Sequence, residues 1–248
     1  MAARRKLAFL VVEGDRSYEQ THNVFPVTWQ AFYVIEIFMH FWPKLDLDGS
    51  SKLFIFFREK PDSEQQNQYM QSDFFGVSKY YVDEAEIDRQ RRLTKEEKGE
   101  YYLNIIADTL KRIAQIHGGD AKVFNAIDET AQKVRDNNFE LTLPIKKLSK
   151  ASANGQFRAN VYRHISNQGE SWYVEIKTKN KDTSCHNVDL SKRPTFISQT
   201  GVFEQSKWEG NCFIVTDKSG RITATIDAAL QVKTAMEVDE NKSEGTDL

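Results

Sequence analysis

The sequence contains few cysteines and prolines, and it has little net charge. Of 248 residues, only 2 are cysteine and 5 are proline, so a disulfide framework is not expected. The net charge of −2 argues against a protein that coats nucleic acid generally, although a local basic patch remains compatible with it. With 40% hydrophobic and 12% aromatic residues, the chain can bury a core as one large domain or two ordinary ones.

Apolar runs long enough to cross a bilayer are also missing. The most apolar run, Trp29 to Trp42, is too short and carries Glu36 and His40, whereas a membrane helix needs about 20 apolar residues. The N-terminal segment superficially resembles a signal peptide, because basic residues precede an apolar stretch. Its apolar part is brief and no small-residue cleavage site follows it, so we expect a first strand instead. We therefore expect a cytoplasmic protein with reduced thiols and no membrane contact.

Familiar catalytic motifs are missing as well. The sequence has no Walker loop, no G-x-G-x-x-G, no G-x-S-x-G and no H-E-x-x-H. Cys185 to Asp189 collects a thiol, an imidazole and a carboxylate, but neighbouring side chains on an extended chain point apart. The sequence predicts no catalytic residue, metal or cofactor, and it leaves the oligomeric state open.

An α+β fold is predicted, and its mixed α/β half covers residues 1–145. Lys6–Val12 and Leu53–Phe57 are expected to be buried strands flanking a buried helix over residues 28–42, with Thr28 as its N-cap. A strand is the alternative for that run, but the run is longer than strands usually are. The order strand, helix, strand predicts a parallel βαβ unit. We expect a third strand over residues 74–82, a loop over 13–26, a loop or sheet edge over 61–71, and a solvated surface over 83–98.

A helical hairpin is predicted over residues 94–136. Thr94 and Glu97 have capping-box spacing, and the apolar positions that follow recur every three or four residues. Gly118-Gly119 is expected to end the first helix, and Asp120 is expected to cap the second.

Residues 146–230 read as an antiparallel β half that contains a hairpin and a meander. Strands are expected over 157–165 and 171–178, joined by a turn at Ser166–Gly169, and further strands over 196–203, 212–216 and 221–226. Residues 231–248 are acidic and polar, which predicts a disordered tail.

The hairpin offers the candidate binding site. Alternation predicts one apolar face and one face of tyrosines and charged residues. Residues 144–193 hold ten Lys/Arg and four Asp/Glu, a local charge of 10 − 4 = +6. Basic residues interleaved with tyrosines can grip phosphates and stack on bases, although an ordinary solvated sheet face explains the same residues. The candidate binding residues are Arg158, Tyr162, Arg163, Tyr173, Lys177 and Lys179.

Within this hairpin, Glu175-Ile176-Lys177 resembles the E-x-K element of the PD-(D/E)xK nucleases. The resemblance implies a carboxylate that holds a divalent metal and a lysine that positions the attacking water. The aspartate of that family is missing from the preceding strand, where Asn160 and Asn167 are the nearest polar residues.

Three functions follow from these observations, in descending order of support. The first is a non-catalytic module that binds another protein, as an adaptor, inhibitor or accessory factor, because the chain combines acidic and basic segments with many aromatic residues. The second is nucleic-acid binding by the hairpin, and the third is a metal-dependent nuclease.

Overall fold

The structure, a computed structural model, describes residues 5–61, 68–72, 76–178, 186–191 and 193–230. It divides the chain into two compact units, Met1–Leu141 (unit 1) and Thr142–Leu248 (unit 2). The predicted tail, residues 231–248, lies outside the described residues. The predicted α+β class, with an N-terminal mixed sheet followed by antiparallel strands, is confirmed.

Unit 1 contains a four-stranded sheet with the order β1-β2-β4-β3. Its strands are β1 (Phe9–Gly14), β2 (Lys52–Phe57), β3 (Tyr69–Ser72) and β4 (Val77–Tyr81). β1, β2 and β4 are parallel, and β3 is antiparallel to β4. The predicted parallel βαβ unit is therefore confirmed. Residues 69–72 form an edge strand at the end of the segment that was expected to be a loop or an edge.

The apolar run forms a helix, as predicted, but the helix is not buried on all sides. α2 (Val27–Phe41) follows the short helix α1 (Arg16–Thr21), which occupies part of the expected loop. Thr28 lies inside α2 and Pro26 is at the N-cap, without a side-chain cap of its own, so the predicted role of Thr28 is wrong. Trp29 remains 38% exposed.

Three more helices complete unit 1: α3 (Glu84–Arg92), α4 (Lys98–Ile116) and α5 (Ala121–Asp136). α3 lies within the segment predicted as a solvated surface, and most of its residues are accessible to solvent, although Ile87 and Gln90 are buried. The helical hairpin is confirmed, because α4 packs on α5 and both also pack on α2. Thr94 and Glu97 form the reciprocal capping box, with N–H to side-chain oxygen distances of 2.8 and 3.4 Å.

Unit 2 contains two antiparallel sheets. One has the order β5-β7-β8-β9, with β6 also paired to β7, and the other has the order β10-β11-β12. The strands are β5 (Leu141–Pro144), β6 (Lys150–Ala151), β7 (Phe157–Ser166), β8 (Gly169–Thr178), β9 (His186–Asp189), β10 (Gln205–Glu209), β11 (Cys212–Thr216) and β12 (Ile222–Asp227).

Apolar side chains from both sheets of unit 2 form one core, which includes Val161, Trp172, Val174 and Phe213. The hairpin of β7 and β8 and its turn are confirmed by a register that closes at Ser166 and Gly169. The strand expected over 196–203 is wrong, because this segment forms bends and a turn in which the N–H groups of Val202 and Phe203 donate to the carbonyl of Gln199.

Candidate functional site

The polar face of the β7–β8 hairpin is arranged as the alternation predicts. The side chains on this hairpin face come from alternate positions of both strands: Arg158, Asn160, Tyr162, His164, Tyr173, Glu175 and Lys177. Tyr162 and Tyr173 are stacked, with ring centroids 5.1 Å apart and an interplanar angle of 22°. Burial, and secondly the carboxylate of Glu175, raise the pKa of both tyrosines. The structure thus brings Arg158, Tyr162, Tyr173 and Lys177 together on one face.

Glu175 is the centre of the hydrogen-bond network on this face. Its Oε2 accepts from Asn160 at 3.0 Å and from Tyr162 at 3.3 Å, and it pairs with the Nζ of Lys177 at 3.0 Å. A carboxylate oxygen that already accepts from an amide, a phenol and an ammonium is poorly disposed to hold a metal ion. The geometry of the E-x-K element therefore resembles a surface ion pair more than a metal centre.

Among the described residues, the charge on the hairpin face is balanced, although the sequence count of the segment is positive. β9 adds Asp189 opposite Tyr173. Arg158 and Lys177 contribute two positive charges and Glu175 and Asp189 two negative ones, so +2 − 2 gives zero. The phosphate-binding charge expected from the sequence count is thus not concentrated on the described part of this face.

Arg163 lies on the opposite face of the hairpin from the other candidates. Its guanidinium is 2.5 Å from Oε2 of Glu170, whose side chain is 0% exposed. The other oxygen of Glu170 accepts from the indole of Trp172 at 2.6 Å and from the backbone N–H of Gln199 at 2.7 Å. Arg163 therefore belongs to a buried hydrogen-bond network on the core face and does not lie beside Tyr162 and Tyr173. Lys179 lies outside the described residues.

An exposed aromatic patch in unit 1 was not predicted. Val24, Phe25 and Trp29 are 43%, 46% and 38% exposed, and the rings of Phe25 and Trp29 meet edge to face at 5.4 Å. Val24 and Trp29 border an open hollow of about 450 Å³, which Glu13 and Gly14 also line. The hollow thus lies at the carboxyl end of β1, the edge of a parallel sheet at which ligands commonly bind.

Hydrogen bonds hold the backbone beneath the aromatic patch. Asp15 caps α1 by accepting from the N–H groups of Ser17 and Tyr18 at 2.9 and 3.2 Å, and the bond from Tyr18 is the main reason that the pKa of Asp15 is lowered. Oε1 of Glu19 accepts from the N–H of Val27 at 2.8 Å and so caps α2 from outside that helix.

Gly14 permits this close approach. A Cβ on Gly14 would lie 2.9 Å from the Cβ of Val27 and would also clash with Glu19. No pattern in the sequence marks the aromatic patch as exposed, because Trp29 belongs to the most apolar run of the chain.

Two further observations bear on the site. Within the described ranges, no three His, Cys, Asp or Glu side chains are grouped so that they could hold a metal ion. None of the described helices combines the length and the apolar character that a membrane span requires. Comparisons with protein-family models, curated proteins and solved structures found no match, so the functional argument depends on the geometry of the molecule.

Proposed function

We propose that the protein is a non-catalytic cytoplasmic module that binds another protein through the aromatic patch of Val24, Phe25 and Trp29. The observation that carries the proposal is the exposure of three neighbouring apolar side chains, two of which, Val24 and Trp29, border an open hollow, while the ring of Phe25 contacts that of Trp29. Contiguous exposed apolar groups with polar surroundings are typical of protein contact sites, and tryptophan is enriched among the residues that dominate binding energy.

The anchoring of the patch supports the same function. Glu19 and Gly14 join α1 to the N-terminus of α2, and Gln30 also hydrogen-bonds the backbone carbonyl of Phe25. A contact surface that is held in place before binding loses less conformational entropy when its partner docks. The polar rim, which includes Glu13 and Arg16, supplies groups that can select the orientation of that partner.

Affinity capture with matched variants tests the proposal. The bait is the full chain, either as wild type or as the double variant Phe25→Ala/Trp29→Ala, and partners are recovered from the source cells. We expect one stoichiometric protein partner with wild type. The double variant should bind it at least about 30-fold more weakly, since a central binding residue contributes about 2 kcal/mol or more.

The control is Ile116→Ala, which removes a different exposed apolar side chain of unit 1, 62% exposed at the end of α4. This variant should retain the partner, and thermal unfolding should show that all three proteins are folded. Equal capture by wild type and the double variant, or the lack of any stoichiometric partner, would contradict the proposal.

A further inference from the structure

The sheet of unit 1 has two chemically different faces. α2 and α4 pack on the face that carries Val12, Ile55 and Phe57, and α5 packs on these helices. The side chains of the other face, here called the outer face, come from the alternate positions: Phe9, Val11 and Glu13 of β1, Lys52, Phe54 and Phe56 of β2, Met70 of β3, and Val77, Lys79 and Tyr81 of β4.

Aromatic rings and cations are interleaved on the outer face. Phe54 and Phe56 are stacked at 5.7 Å with an interplanar angle of 5°, and Phe56 stacks on Tyr81 at 5.0 Å. The ammonium of Lys52 lies 4.5 Å from the centre of the Phe54 ring, and the guanidinium of Arg58, just after β2, lies 4.3 Å from that of Phe56. This is a stack of flat rings along one strand with a cation at each end.

Exposure differs between the two ends of the outer face. At the carboxyl ends of the strands, Phe56 and Tyr81 are buried. Towards the amino ends, Phe9 is 63% exposed, and Lys52, Phe54 and Lys79 are half-buried. The register places Phe9 opposite Lys52 and Phe54 opposite Lys79. The accessible end therefore combines two aromatic side chains with two cations.

The charge of the outer face contrasts with that of the hairpin face. Lys52 and Lys79 lie at the accessible end, and Glu13, the carboxylate that the described strands place on this face, lies opposite the buried Phe56. The described residues of the hairpin face include two carboxylates for two cations. A surface with cations beside exposed rings suits a chain of phosphates and unpaired bases, because every base has a flat face that can stack.

We propose that the accessible end of the outer face, formed by Phe9, Lys52, Phe54 and Lys79, binds single-stranded nucleic acid. Lys52 and Lys79 contact phosphates, and Phe9 stacks on a base. The three strands that carry these residues lie about 4.8 Å apart, which gives room for about two nucleotides. A duplex is a poorer ligand, since its bases are already stacked and paired.

Fluorescence anisotropy with labelled dT15 and U15 tests the proposal on the full chain. The substitutions are Lys52→Gln/Lys79→Gln, which remove the positive charge but keep an unbranched polar side chain, and separately Phe9→Ala. Removal of two phosphate contacts should flatten the log–log dependence of affinity on salt by about 1.4, at about 0.7 per contact. Phe9→Ala should weaken binding roughly 5- to 150-fold through lost stacking while leaving the salt slope unchanged.

The matched control is Arg158→Gln/Lys177→Gln, which removes two cations from the hairpin face and should change neither affinity nor slope. A 15-base-pair duplex should bind more weakly than either single strand. The proposal is overturned if wild type does not bind dT15 or U15 at low salt. It is likewise overturned if only the hairpin variant loses affinity, or if folded Lys52→Gln/Lys79→Gln keeps the wild-type slope. Circular dichroism establishes folding for each variant.

Discussion

At the scale of single residues, Arg163 and Glu170 show how side-chain alternation and burial change the interpretation of a basic hairpin. Arg163 has the same parity along β7 as Ala159 and Val161, so period-two alternation already places it on the core face. The count of basic residues, which ignores parity, instead assigned it to phosphate binding. Glu170 had no comparable signal, because the sequence does not show that Arg163, Trp172 and Gln199 all donate to its carboxylate.

The Glu170 network predicts a large and specific loss of stability. In Glu170→Gln, an amide would face three donors with a single acceptor oxygen and would leave the charge of Arg163 uncompensated. Breaking a buried pair in this way costs about 3–5 kcal/mol. We expect a loss of this size in the free energy of unfolding from urea titration. Glu204→Gln is the matched control, because its pair with Lys147 is exposed and should contribute at most about 1 kcal/mol. Equal losses in both variants would contradict the assignment.

At the scale of elements, long periodic segments were predicted better than short ones. Tyr102, Ile106 and Leu110 recur at helical spacing along α4, and all three are buried. A helical period that continues over many residues identifies one side of the helix as the side that faces the core. α1 and β3 are too short to show a period. α3 has mostly charged residues, and only its packing reveals that Ile87 and Gln90 are buried.

The N-terminal cap of α2 predicts how substitutions of Glu19 change the free energy of unfolding. α2 has no side-chain cap at Pro26, and Glu19 supplies the acceptor for Val27 from a neighbouring helix. Glu19→Ala should therefore lower the free energy of unfolding by about 1–2 kcal/mol, the usual effect of losing an N-cap. Glu19→Gln, which keeps an acceptor oxygen at the same position, should lose less than half as much. Thermal unfolding of the two variants measures this difference, and identical losses would show that Glu19 does not act as a cap.

At the scale of the whole molecule, the fold class could be predicted from sequence, but the candidate surfaces could not. The periodicity of apolar residues in strands and helices is a local property of the sequence. It was therefore enough to predict the βαβ unit, the helical hairpin and the β7–β8 hairpin. Exposure depends on which faces meet in three dimensions, so Trp29 was expected in the core although it lies at the surface. For the same reason the rings and cations of the outer face became visible only with the strand register.

Site-specific photocrosslinking tests most directly whether the aromatic patch binds a protein. A photoreactive benzoylphenylalanine replaces either Phe25 in the patch or Ile116 at the end of α4, and the source cells are irradiated. We expect position 25 to yield one discrete adduct that protease removes and nuclease does not, and position 116 to yield none. Equal adducts from both positions, or no protein adduct from position 25, would contradict the account.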